Sequence, residues 1–165
     1  MKLSKLLLFI LLGLVLVIMD LTFFSYIEIY GASLITSLIV LTMLALSNKS
    51  DDYIFFGLIL VILFSIFSSV PLFVIGFNFV LVPATINYLI KKYLPSPSTL
   101  TAILYFIIVA FLFEFSLLAW SSEWSIAGFR AVGYFVMINA IMGTIINVFY
   151  TKAKKFFLSE FEIKL

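Results

Sequence analysis

Three ionisable residues sit inside or at the end of long apolar runs: Asp20, Glu114 and Arg130. Two carboxylates and a guanidinium in hydrocarbon can share a proton, hold an ion or a polar solute, or pair with one another. At ~1.5 Å per helical residue, Glu114 counted from Leu100 and Asp20 counted from Leu6 both lie about 21 Å from one membrane face. Arg130, counted from Ile126, lies about 6 Å below the opposite face, so all three occupy one layer. An isolated charge at that depth costs several kcal/mol, and pairing is the natural resolution. The expectation is an ion pair of Glu114 with Arg130, with Asp20 as neighbour or competitor and Asn78 joining the polar layer. Two other readings stand beside it: Arg130 snorkels to the headgroups, or the layer is a ligand or ion site.

Little other chemistry is available. The chain has no histidine and no cysteine, which removes the commonest general base, the commonest metal ligand and all thiolate chemistry. It carries no glycine-rich phosphate loop and no G-x-S-x-G sequence, and its lysines lie outside the apolar runs, at their expected cytoplasmic edge. No catalytic residue, metal ligand or cofactor site is expected, and the chain is read as non-enzymatic.

The elements that must position these groups follow from hydropathy. Hydrophobic residues make up 65% of the chain and charged residues 11%, with a mean hydropathy of +1.30. Soluble domains carry roughly a quarter charged residues, so the bilayer is the expected solvent. Six apolar runs of spanning length are read, at 6–24, 30–46, 53–69, 72–90, 100–120 and 126–150. Continuous runs without dyad alternation choose helices over a barrel. The third and fourth are separated only by Ser68-Ser69-Val70-Pro71, where Pro71 marks a tight turn. Pro83 is expected to kink the fourth span. The fold class is therefore all-α: a polytopic integral membrane protein with six transmembrane helices.

Lysine placement gives orientation. With the N-terminus inside, Lys2, Lys5, Lys49, Lys91, Lys92, Lys152, Lys154, Lys155 and Lys164 all fall on the cytoplasmic side, and both termini are cytoplasmic. The first run is expected to remain as a membrane helix, since no small-x-small cleavage site follows it. Residues 1–150 then form a single transmembrane domain, and 151–165 a basic, partly amphipathic tail along the inner surface of the plasma or inner membrane. Gly133, Met137, Ala140 and Thr144 share a stripe with Arg130 and are read as a helix-packing face. Asn87, Asn139 and Asn147 are read as interhelical hydrogen-bonding residues. Trp120, Trp124, Tyr26 and Tyr30 are read as boundary aromatics, and the many phenylalanines as lipid-facing.

Two stretches resemble the MreD family, the small polytopic component of the bacterial rod-shape machinery. TFFSYIEIYGASLITSLIVLTMLAL is similar to that family's first-span exit, short outer loop and second span. DDYIFFGLILVILFSIFSSVPLFVIGFNFVLVPATINYLIKKY is similar to its third and fourth spans, including the F-S-x-x-P turn. The similarity covers about residues 15–94. Family members often have an aspartate six residues before the turn proline, where this chain has Ser65, and a glycine two residues after it, where this chain has Phe73. A Pro-Asn pair common before the second span is here Ala32 and Ser33. The resemblance implies a membrane scaffold of the cell-wall elongation complex, with an MreC-like bitopic protein and peptidoglycan-synthesis membrane proteins as partners. It implies no nucleic acid and no soluble substrate. The competing reading is the substrate-binding membrane subunit of an energy-coupling-factor vitamin transporter, in which Glu114, Arg130 and Asn78 would line an outward-facing pocket. A channel or ion-coupled carrier lacks the broken helices and internal repeat expected of one.

Overall fold

In hydrocarbon every backbone N–H and C=O must find its partner inside the protein, and runs of Leu, Ile, Val and Phe meet that demand as helices. The computed structural model describes residues 3–27, 32–46, 52–93, 98–122 and 124–160, with side chains through Lys152. The described residues form six helical rods and no strand. These are α1 (Leu3–Tyr26), α2 (Thr36–Leu46), α3 (Asp52–Phe67), α4 (Leu72–Tyr93), α5 (Thr99–Ser121) and α6 (Ile126–Glu160). Tyr30, Lys2, Lys49, Lys164 and the side chains of Lys154 and Lys155 lie outside the described part, as does most of the tail's expected amphipathic face.

Four rods are long and apolar enough to cross a membrane: α1, α4, α5 and the Ile126–Lys152 part of α6. The other two are shorter than expected. With 11 residues in α2 and 16 in α3, they reach about 16 and 24 Å, against a hydrocarbon core of ~30 Å. Of the expected run 30–46, described residues 32–35 are non-helical and the helix begins at Thr36, with the Ser33 carbonyl and the Ile35 N–H held by the Asn139 side chain.

α1 and α3 run parallel in a fixed register. Lys5 Nζ pairs with Asp52 Oδ2 at 2.6 Å, the Phe9 and Phe56 rings lie 5.5 Å apart, and Gly13 faces Leu60. Each step advances four residues on both helices, the spacing that keeps one face of a helix in contact. Their parallel course requires the chain between them to return once, which α2 does.

In α4, Pro83 has no N–H to offer the carbonyl of Phe79, and its ring crowds that oxygen. The helix widens just before it into a π-helical turn at Phe77–Leu81, with the Val82 N–H bonded to the Phe77 carbonyl. The perturbation expected at Pro83 takes this form. The Phe79 oxygen instead lies against Gly57 of α3, where any Cβ would collide with it. Gly57 thus permits the α3–α4 crossing.

α5 and α6 form the most extensive helix pair. Ser122 turns the chain at φ 58°, in the left-handed region, and Gly143 lets α6 approach α5: a Cβ there would sit 2.6 Å from the Phe106 ring. Four helices meet through a relay of rings. Phe64 stacks on Phe79 at 5.0 Å, Phe79 meets Phe113 edge-on at 5.9 Å, and Phe113 stacks on Phe135 at 5.8 Å. All four are buried, as are Phe9, Phe56 and Phe106. This corrects in part the reading of phenylalanine as lipid-facing: Phe23, Phe55, Phe67, Phe73, Phe129 and Phe149 are exposed, while the buried rings fill the space between helices and contact each other at favourable offsets.

Candidate functional site: a polar brace at the start of α2

A helix start leaves its first N–H groups without intrahelical acceptors. At α2 three consecutive amides are met by side chains from other helices. The Ile35 N–H donates to Asn139 Oδ1 of α6 at 2.9 Å. The Thr36 N–H and hydroxyl both donate to Asp20 Oδ1, at 2.7 and 2.6 Å. The Ser37 N–H and hydroxyl both donate to Asp20 Oδ2, at 3.0 and 2.5 Å. The Asn139 amide completes the brace by donating to the carbonyls of Ser33, at 3.1 Å, and Phe135, at 3.0 Å.

Asp20 reaches this position from a π-helical turn at Met19–Phe23 near the end of α1. Asp20, Ser37 and Asn139 are buried. Four donors fill the acceptor sites of both carboxylate oxygens, and the negative group sits at the positive end of the α2 dipole. So occupied, the carboxylate is a fastener, with no free lone pair aimed at a guanidinium or an ion. Asp20 is therefore neither partner nor competitor for Arg130.

The expected Glu114–Arg130 pair is not formed. Between described residues the ion pair is Lys5–Asp52. Arg130 is exposed, on the stripe of Met137 and Ile141 and, at 100° per residue, roughly opposite Phe135 and Asn139. Glu114 is half-buried on α5, and no hydrogen bond joins it to a described residue. α5 and α6 are antiparallel, and Cα–Cβ bonds tilt toward each helix's own N-terminus. Glu114 and Arg130 are thereby carried toward opposite ends of the helix pair.

Asn78 lies level with the turn of α5 that carries Glu114 but bonds neither Glu114 nor Arg130. Buried in the π-helical turn of α4, its amide donates to the Val74 carbonyl at 2.8 Å and to Ser116 Oγ of α5 at 2.7 Å, while its Oδ1 has no hydrogen-bond partner. Asn87 ties α4 to α2 through the Ala45 carbonyl at 2.7 Å. The Asn147 side chain makes no interhelical hydrogen bond among the described residues. Pro71 immediately precedes α4 and its carbonyl accepts from Val74 and Ile75. The stripe of Gly133, Ala140 and Thr144 is a packing face only in part: Ala140 is buried in the core and Thr144 is half-buried, while Gly133 is exposed. A Cβ on Gly133 would meet open space, and Ala140 and Thr144 line an outward groove of about 470 Å³ between α5 and α6 with Ile103, Ile107 and Met137. Two further hollows, of about 640 and 240 Å³, lie between α4 and α5 and share Phe77 and Leu81. Glu114, Arg130 and Asn78 line none of these three. Among the described residues no group of three or more acidic side chains could hold a metal ion.

Thr36, Ser37, Ser33 and Ser116 are the polar partners that hydropathy overlooked. A signal existed for two of them: Thr36-Ser37 directly before an apolar run is a helix-start signature. No protein-family model, curated protein or solved structure matches this chain.

Proposed function

We propose that this protein is a non-enzymatic membrane scaffold of the bacterial cell-wall elongation machinery, MreD-like, crossing the inner membrane six times with both termini in the cytoplasm. The observation that carries the reading is the brace at α2. Asp20 and Asn139 are consumed in fastening three helices together, and Asn78 and Asn87 fasten α4 to α5 and α2. A bundle whose polar groups bond each other is built to hold a shape. Its hollows open outward and are lined mainly by apolar side chains, which suits contact with lipid or with helices of membrane partners. The shortness of α2 is compatible with a full crossing, since the Ser33 carbonyl and the Ile35 N–H before it are satisfied by Asn139 inside the protein. Lys5, Lys91, Lys92 and Lys152 stand at the helix ends assigned to the cytoplasm.

Purification of the tagged full chain from its native membrane tests this reading. An MreC-like bitopic coiled-coil protein should co-purify, and water-soluble vitamins should leave thermal unfolding unchanged. Stabilisation by a vitamin, worth ~4 kcal/mol at a thousandfold excess over its dissociation constant, would replace the scaffold with a transporter subunit.

A further inference from the structure

The hollow between α4 and α5 has a polarity of its own. Its inner part, about 240 Å³, is lined by Phe77, Leu81, Thr85 and Leu89 of α4 and by Tyr105 and Ile108 of α5. Leu81, Thr85 and Leu89 lie on one helical stripe, and the next residue of that stripe is Lys92. The Lys92 ammonium is steadied by two rings, 5.7 Å from the Tyr88 centroid and 5.1 Å from that of Tyr93. From Phe77 to Leu89 the groove runs about 18 Å at helical rise, close to the ~15 Å hydrocarbon depth of one leaflet. One end is therefore apolar at mid-membrane, and the other opens beside a cation about one turn beyond the last apolar contact.

We propose that this groove binds one anionic phospholipid, with an acyl chain along Leu81, Thr85 and Leu89 and its phosphate against Lys92. The match rests on three features together: an apolar trough open to the bilayer, a length close to that of one leaflet, and a positive charge at the headgroup end. A partner helix would need no cation there, and a zwitterionic lipid would gain less from one. The inference depends on α4 and α5 lying in a membrane and is independent of the scaffold role.

The test uses the full chain in detergent, with phosphatidylglycerol or phosphatidylcholine of identical acyl chains added, read by native mass spectrometry and thermal unfolding. Phosphatidylglycerol should bind about fivefold more tightly, the factor that one surface lysine supplies. Lys92→Gln should reduce that preference to within about twofold of unity, while Lys152→Gln, a cation on another helix, should keep it. Thr85→Trp, which fills the trough, should weaken retention of both lipids. Equal binding of the two lipids by the unaltered chain, or an undiminished preference in Lys92→Gln, would overturn the proposal. A full complement of bound lipid in Thr85→Trp would overturn the placement of the acyl chain.

Discussion

One oxygen of Asp20 accepts both the backbone amide and the hydroxyl of Ser37, at 3.0 and 2.5 Å. The pairing joins the end of α1 to the start of α2 in a buried setting, where an unmet N–H is costly. Ser37 is fully buried, so water cannot replace the lost acceptor without opening the bundle.

Asp20→Ala should therefore destabilise the protein by about 3 kcal/mol, the scale of a lost helix cap plus stranded buried donors. Ser37→Ala should cost about 1 kcal/mol, since the amide keeps its acceptor. The double variant should cost less than the sum, because the Ser37 hydroxyl has no partner once Asp20 is gone. Unfolding in detergent, followed by circular dichroism, measures all three.

The contact of Gly57 with the Phe79 carbonyl makes a second prediction. Gly57→Ala must push backbone from backbone and should cost about 2–3 kcal/mol, the scale of overpacking. Gly76→Ala is the control. Its added methyl meets nothing within 4 Å, and in a helix interior the change should be neutral or slightly stabilising. Similar unfolding midpoints for the two variants would contradict the crossing described for α3 and α4.

The separation of Glu114 and Arg130 predicts independence. Glu114→Gln removes a half-buried charge that no described residue balances, and should hold or raise stability. Combined with Arg130→Gln, the two effects should add to within about 0.5 kcal/mol, as for residues that do not touch. A larger coupling would mean that the two side chains meet in the membrane.

Apolar run length carried the rods well where helix and run coincide: α4 starts at Leu72 and α6 at Ile126, where the apolar runs start. It misplaced α2, because Ala32, Leu34 and Ile35 are as apolar as the helix that follows and only Thr36-Ser37 marks the boundary. Depth alone placed Asp20, Glu114 and Arg130 in one layer. It said nothing of the direction in which each side chain leaves its helix, and azimuth decided that Asp20 turns to α2 while Arg130 faces outward. Hydropathy also cannot separate a phenylalanine against lipid from one against another ring, so the relay of Phe64, Phe79, Phe113 and Phe135 was not legible. Interhelical asparagines were better marked, since an amide in an apolar helix has few ways to be satisfied, and Asn87 and Asn139 both bond to other segments.

The membrane layout underlies the whole account, and the absence of native cysteine makes it directly measurable. Single cysteines at Ser69, Ser125, Thr99 and Lys152 can be probed in intact cells with a membrane-impermeant maleimide. The account predicts labelling at Ser69→Cys and Ser125→Cys, and protection of Thr99→Cys and Lys152→Cys until the membrane is opened. Labelling of Thr99→Cys from outside, with Ser69→Cys protected, would contradict it.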